Sequence, residues 1–148
     1  AAAGEATVTA EATTFVTDAA ALQQVLLNLI GNAVKYSDGP ANVDITVTTL
    51  GAAARGAAPP ASLASVPPDT PVLAVSDRGR GIDPTHHDKV FELFRQPDPS
   101  AEGSGTGLAL CRLICRRHGG DIWVDSERGG GSTFYLTTGD QERSHGGL

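Results

Sequence analysis

Residues 19–36 carry the pattern that most limits what this chain can fold into. Leu22, Val25, Leu26, Leu29 and Ala33 recur at the spacing of one helical face, which predicts an amphipathic helix over Ala19 to Tyr36. Asp18 stands where an N-cap belongs, although Ala21 cannot complete a capping box. Ser37-Asp38-Gly39-Pro40 then stops the helix with turn chemistry. A helix with a single apolar stripe must bury that stripe against another surface. Val43, Ile45 and Val47 alternate with Asp44, Thr46 and Thr48, and Pro71 to Ser76, Ile122 to Ser126 and Ser132 to Thr137 also read as strands. A second helix is expected to be opened by Gly103-Ser104-Gly105-Thr106-Gly107, patterned by Leu108, Cys111, Ile114 and Cys115 and stopped by Gly119. The expected architecture is an α/β two-layer sandwich, a mixed sheet of about five strands with helices packed on one face.

The remaining segments divide by composition. Ala6 to Thr17 is rich in Thr and Val and reads as two short strands or a ragged edge. Gly51 to Thr70 is Ala, Pro, Gly and Ser with one charge of each sign and no usable period. It is expected to be a flexible, disordered insertion between adjacent strands. A short helix is expected after Pro84, ending near Phe91-Glu92-Leu93-Phe94, and Glu127 to Gly131 reads as a glycine-rich hairpin. The tail, 140–148, reads as disordered, which leaves one domain over 1–139.

Charge and composition exclude several classes. A formal net charge of -6 supplies no basic stripe and argues against a nucleic-acid partner. No apolar run reaches the roughly 18–20 residues that cross a bilayer, and no secretory signal opens the chain. The segment is therefore expected to be cytoplasmic and to make no direct membrane contact, even if its parent is membrane-anchored. Cys111 and Cys115 have no two further soft ligands nearby for zinc and read as small buried hydrophobes of a reduced protein.

Three elements carry the candidate chemistry. On the first helix, at about 100° per residue, Asn28, Asn32 and Lys35 fall within an arc of roughly 60°, centred about 110° from the apolar stripe. They form either a solvated face or a site where the Asn32 carbonyl ligates a metal and Lys35 meets phosphate. Two amides of low helix propensity are unusual on a plain solvated face. Asp77-Arg78-Gly79-Arg80-Gly81-Ile82 follows a buried strand directly. It is either a turn headed by Asp, or a turn whose glycines let backbone approach a flat ligand. In the second case the Asp77 carboxylate can accept a hydrogen bond from an exocyclic amine such as that of adenine. Gly103-Ser104-Gly105-Thr106-Gly107-Leu108 runs into a helix N-terminus, where backbone N–H groups and the helix dipole suit an anion. The alternative is a hinge. It is neither a Walker loop, since no Gly-Lys-Ser/Thr follows, nor a dinucleotide fingerprint, since no strand leads into it.

In this order and at these intervals, with Phe91-Glu92-Leu93-Phe94-Arg95 between the second and third, the elements resemble the GHKL ATPase superfamily. More narrowly they resemble the catalytic domain of sensor histidine kinases, which implies a Bergerat-type ATP-binding fold. Leu22 to Ser37 is similar to the family's N box, Asp77–Ile82 to its G1 box, Phe91–Arg95 to its F box and Gly103–Leu108 to its G2 box. His118 to Ser126 and Gly131 to Phe134 resemble the closing strands of the kinase branch.

The resemblance implies ATP and Mg²⁺ as ligands. Asp77 would bind the adenine amine, with Thr133 helping through a water; Tyr36 and Ile82 would flank the ring, and Gly79 and Gly81 belong to the same turn. Asn32 would hold Mg²⁺, Lys35 would neutralise phosphate charge, and Arg95 would steady the γ-phosphate. Gly103, Gly105, Thr106, Gly107 and Leu108 would cradle the triphosphate through backbone N–H groups. Asn28 stands where hydrolytic relatives carry a glutamate that activates water. An amide takes no proton at neutral pH, so the site is expected to hold ATP for another nucleophile. The sequence departs from the family at Ala109, usually glycine, and in the short stretch Gln96–Glu102 where an ATP lid belongs.

None of His86, His87, His118 and His145 sits in a long amphipathic helix with the acceptor pattern. Asp83, His86, His87 and Asp88 read as a solvated helix face, not a metal cluster. The implied partner is therefore a histidine on a separate helical dimerisation domain of the same kinase, with a response regulator served indirectly. Two other readings stay open: a GHKL serine kinase of the anti-sigma type, and a nucleotide-sensing interaction module without catalysis.

Overall fold

The computed structural model describes residues 5–10, 13–35, 43–78, 91, 107–126 and 131–138, with the backbone alone at 5–10, 13–16 and 35. The first helix, α1 (Ala19–Lys35), starts where Asp18 caps it, the Ala21 N–H donating to Asp18 Oδ2 at 2.9 Å. The last helix, α3 (Gly107–Arg117), ends at Gly119, whose φ is 86°, and the Gly120 N–H donates to the Cys115 carbonyl at 2.9 Å. That is the bond pattern of a Schellman stop, which needs a residue at ease in the left-handed region.

Four strands form the main sheet: β3 (Val43–Thr49), β4 (Pro71–Asp77), β5 (Asp121–Ser126) and β6 (Ser132–Thr137), in the order β3-β4-β6-β5. The N-terminal stretch resolves into a separate antiparallel hairpin, β1 (Glu5–Ala10) with β2 (Thr13–Asp18). Among the described residues every pairing is antiparallel, which corrects the expected mixed sheet. The crossover through α3 does return β5 in the direction of β4, but β6 inserts between the two. The short connection from β5 to β6 admits only an antiparallel pair.

Strand alternation divides the sheet into two faces. Leu73 and Val75 of β4, Ile122 and Val124 of β5, and Phe134 and Leu136 of β6 turn toward α1 and α3. There they bury Leu22, Val25, Leu29, Cys111 and Cys115. Each fully buried Leu, Val or Phe contributes about 1.5–3 kcal/mol, so this layer fixes both helices on the sheet.

Residues 50–70 overturn the expectation of a disordered insertion. Thr49 Oγ1 accepts from the Ala52 N–H at 3.3 Å and opens a one-turn helix, α2 (Leu50–Ala53). The Leu50 N–H donates to the Thr70 carbonyl and the Gly51 N–H to the Pro68 carbonyl, each at 2.9 Å, which ties the two ends together. Ala61–Leu63 forms a 3-10 turn between them. Leu50, Ala53 and Leu63 are buried against Val72 and Trp123, and Tyr135 stacks on Trp123 with ring centroids 5.5 Å apart. Val72, Trp123 and Tyr135 alternate with the residues that face α1 and α3, so the segment covers the opposite face of the sheet. It shows no period because it follows no regular element, and its prolines lower the entropy lost on ordering. The helix expected after Pro84, the turn residues 127–130 and the tail 140–148 lie outside the described residues.

Candidate functional site

The sheet and the packed helices bring two parts of the predicted site into view. The first is the meeting of α1 and α3. Asn28 is half-buried against the start of α3, where a β-carbon placed on Gly107 would lie 3.8 Å from the Asn28 Cβ, Cγ and Oδ1. Its Nδ2 is buried, and among the described residues its one partner is the weak acceptor sulfur of Cys111. Asn32 follows one turn later, also half-buried, and Lys35 closes the helix. Gly107 and Leu108 open α3, whose first N–H groups have no partners within the helix.

Cys111 anchors this junction from below, its thiol donating to the Val25 carbonyl at 3.8 Å. Burial pushes the Cys111 thiol up to about 12, while the Asn28 side chain acts in the opposite direction. Cys115 is raised as well, by burial first and then by the neighbouring Cys111 and Asp121. Both cysteines are free. Held as thiols, they are neither nucleophiles nor ligands near neutral pH, and their expected role as buried hydrophobes stands.

The second part lies at the end of β4. Asp77 is its last residue, half-buried, with Val43 of β3 on one side and Ser132 of β6 on the other. It lies on the helix-facing side of the sheet, in phase with Leu73 and Val75. Gly131 holds this corner. Its φ is 79°, and a β-carbon on it would fall on the Asp77 carbonyl oxygen and 3.1 Å from the Arg78 Cα. Only glycine permits both.

Thr133 lies one register position away from Asp77. Its register partner is Ser76, and the two hydroxyls lie 2.9 Å apart on the opposite face. Ser132 stands across from Asp77 on the helix-facing side, its hydroxyl 2.9 Å from Ser126 Oγ. The motif Gly131-Ser132-Thr133 offers two neighbouring hydroxyls, and strand alternation sends them to opposite faces. Counting the register back from Phe134, which faces the core, was the signal that separates them.

Of the predicted site residues, Asn28, Asn32, Lys35, Asp77, Gly107, Leu108 and Thr133 are described. Tyr36, Gly79, Gly81, Ile82, Arg95, Gly103, Gly105 and Thr106 lie outside the described residues, as do Asp83, His86, His87 and Asp88. Among the described residues no three His, Cys, Asp or Glu side chains gather as a metal site, and no helix is long and apolar enough to cross a membrane. A cavity of about 390 Å³ opens between Pro59 and Pro60 on one side and Phe91, Arg112 and Trp123 on the other. None of its lining residues belongs to the predicted nucleotide site.

Known proteins are similar to this chain in sequence and fold. Residues 17–142 match the family of histidine kinase-, DNA gyrase B-, and HSP90-like ATPases. The chain is 38% identical over 116 residues to the methanogenesis regulatory histidine kinase FilI of Methanothrix harundinacea strain 6Ac, covering 78% of this chain and 11% of FilI. It is similar in structure to the mycobacterial sensor histidine kinase MprB, with TM-score 0.60 and 26% identity over 83% of this chain and 72% of that one. Full-length ShkA, solved in complex with AMPPNP, superposes with TM-score 0.61 and 29% identity over 82% of this chain and 22% of its own. The chain thus spans well under a third of the curated relatives' length. The shared fold is the Bergerat fold, an antiparallel sheet with its long helices packed on one face.

Proposed function

The chain belongs to the family of histidine kinase-, DNA gyrase B-, and HSP90-like ATPases, and from that premise we propose that it is the catalytic domain of a two-component sensor kinase. It binds ATP with Mg²⁺ and donates the γ-phosphate to a histidine on a helical dimerisation domain of the same kinase. A response regulator then receives the phosphate, and the whole exchange takes place in the cytoplasm, where ATP is at hand. The ATP analogue AMPPNP in the similar ShkA supports the choice of nucleotide.

The observation that carries this reading is the Asn28 amide against the start of α3. An amide has two N–H donors and a thiol sulfur is a weak acceptor, so a phosphate oxygen drawn to the α3 N-terminus would complete the hydrogen bonding of the Asn28 side chain. The same amide cannot take a proton from water. The site therefore suits phosphate binding and lacks a hydrolytic base at that position.

The other residues have matching roles in this reading. Asp77 accepts the adenine amine, with Thr133 helping through a water and Ser132 across from it on β6; Tyr36 and Ile82 flank the ring. Asn32 offers a hard carbonyl oxygen of the kind Mg²⁺ takes alongside phosphates and water, and Lys35 and Arg95 offset phosphate charge. When bound, Mg²⁺ would neutralise charge on the transferring phosphoryl group. Gly103 to Leu108 hold the triphosphate by backbone N–H groups. The domain's contribution is then positioning and charge, and an imidazole from the partner domain serves as nucleophile.

Titration calorimetry tests the binding half: ATP should bind more tightly with Mg²⁺ than without, and ADP should depend on the metal less. Equal affinity with and without Mg²⁺ would remove Asn32 from its role. The acid stability of the transferred label separates the kinase classes, since phosphohistidine is lost in acid and phosphoserine survives.

A further inference from the structure

The carboxylate of Asp121 is completely buried, yet it takes no part in the site described above. It gathers three separate parts of the fold. Ser62, in the segment that covers the back of the sheet, donates its hydroxyl to Oδ2 at 2.6 Å. Arg116 of α3 donates from Nε to the same oxygen at 3.2 Å. Arg112, one turn earlier on α3, forms an ion pair with Oδ1 at 3.4 Å, and the Ile122 N–H donates to Oδ1 at 2.7 Å. Arg112 is further fixed by donating from Nη2 to the Ile122 carbonyl at 3.1 Å, and its guanidinium lies 4.2 Å from the centre of the Phe91 ring.

We infer that Asp121 is a positioning residue for the phosphate end of the nucleotide site, holding α3 in register through Arg112 and Arg116 and joining it to the back-face segment through Ser62. The inference rests on the nucleotide reading above. Arg112 and Arg116 are four residues apart, so their charges are neighbours on one face and repel without a carboxylate between them. Arg112 follows Gly107 by five residues, about 7.5 Å along the helix at 1.5 Å per residue. A tilt of the arginine end therefore moves the first turn, where Gly107 and Leu108 present N–H groups. Cys111 and Asn28 hold the other side of α3 against α1, so Asp121 is the tie on the sheet side. Asp77, the adenine residue, sits on β4, which β6 separates from β5 and its Asp121.

This division gives a test that a general loss of stability does not imitate. Adenosine, ADP and Mg-ATP are titrated against the wild-type chain and the Asp121→Asn, Ser62→Ala and Ser62→Thr variants, with thermal melts alongside. Asp121→Asn keeps the shape and removes the charge. It should weaken ADP and Mg-ATP about tenfold, the size of one weakened charge-assisted contact to phosphate, and leave adenosine almost unchanged. Ser62→Ala, at an exposed position, should act in the same direction more weakly, and Ser62→Thr should restore wild-type affinity because it keeps the hydroxyl. Adding Ser62→Ala to Asp121→Asn should bring little further loss. Equal weakening of adenosine and ADP, or no change for ADP in either Asp121→Asn or Ser62→Ala, overturns the inference while leaving the nucleotide reading intact. A wild-type chain that binds none of the three ligands overturns the nucleotide reading, and the inference with it.

Discussion

Leu63→Ala tests whether residues 50–70 are part of the folded domain. Leu63 is 3% exposed and packs in one cluster with Leu50, Ala53, Val72 and Trp123. Removing a buried leucine to its β-carbon costs about 2–5 kcal/mol, depending on how far the site can collapse. This cluster lies under a surface segment that can close inward, so the lower part of that range applies, about 2–3 kcal/mol. For a domain of this size that lowers Tm by about 4–12 °C. Trp123 is the only tryptophan and is 4% exposed beneath the segment, so its fluorescence reports the cover directly. Leu63→Ala should shift the emission to longer wavelength and lower the melting temperature together. Replacing Gly51–Thr70 by a short turn should do both more strongly. Unchanged emission and an unchanged Tm in either variant would mean that the segment does not pack on the sheet.

Two further outcomes follow from the site. Asp77→Ala should lower ATP and ADP affinity about tenfold or more, the loss of one charge-assisted hydrogen bond, and calorimetry showing unchanged affinity would remove Asp77 from the adenine. The two thiols are raised in the folded state, Cys111 to about 12, so their contribution to stability is fully present below their ordinary value of 9.0 and is lost as pH rises above it. Urea unfolding between about pH 8 and about pH 10.5 should therefore show a smaller loss in a Cys111→Ala, Cys115→Ala double variant than in the wild type, and equal losses would contradict the burial argument.

Regular elements were legible wherever a period reached the core. The stripe of Leu22, Val25, Leu29 and Ala33 predicted α1, and Asp18 and Gly119 marked a start and a stop that the structure reproduces. The direction of strand pairing was not legible in the same way. It depends on which strand inserts beside β4, a long-range choice that no local pattern in Ser132–Thr137 records. The back-face segment escaped notice because three buried side chains, Leu50, Ala53 and Leu63, leave no period in a stretch of Ala, Pro and Gly. Asp121 escaped for a related reason: its ion pairs with Arg112 and Arg116 look, in sequence, like ordinary surface charge near a helix end. At the site itself, residue types marked Asn28, Asn32 and Asp77, while which hydroxyl stands directly across from Asp77 needed the register with β4.

The most direct measurement of the central claim follows the γ-phosphate. The chain is incubated with Mg²⁺ and γ-labelled ATP, alone and with the histidine-bearing helical domain of its own parent kinase. Alone, it should neither label itself nor release phosphate quickly, because the Asn28 amide cannot activate water. With the helical domain present, label should appear on that domain in an acid-labile form. Asn32→Ala should suppress the transfer far more than it weakens ADP binding, because the Asp77 contact to adenine survives. Rapid hydrolysis of ATP by the chain alone, acid-stable label, or full transfer by Asn32→Ala would contradict the account.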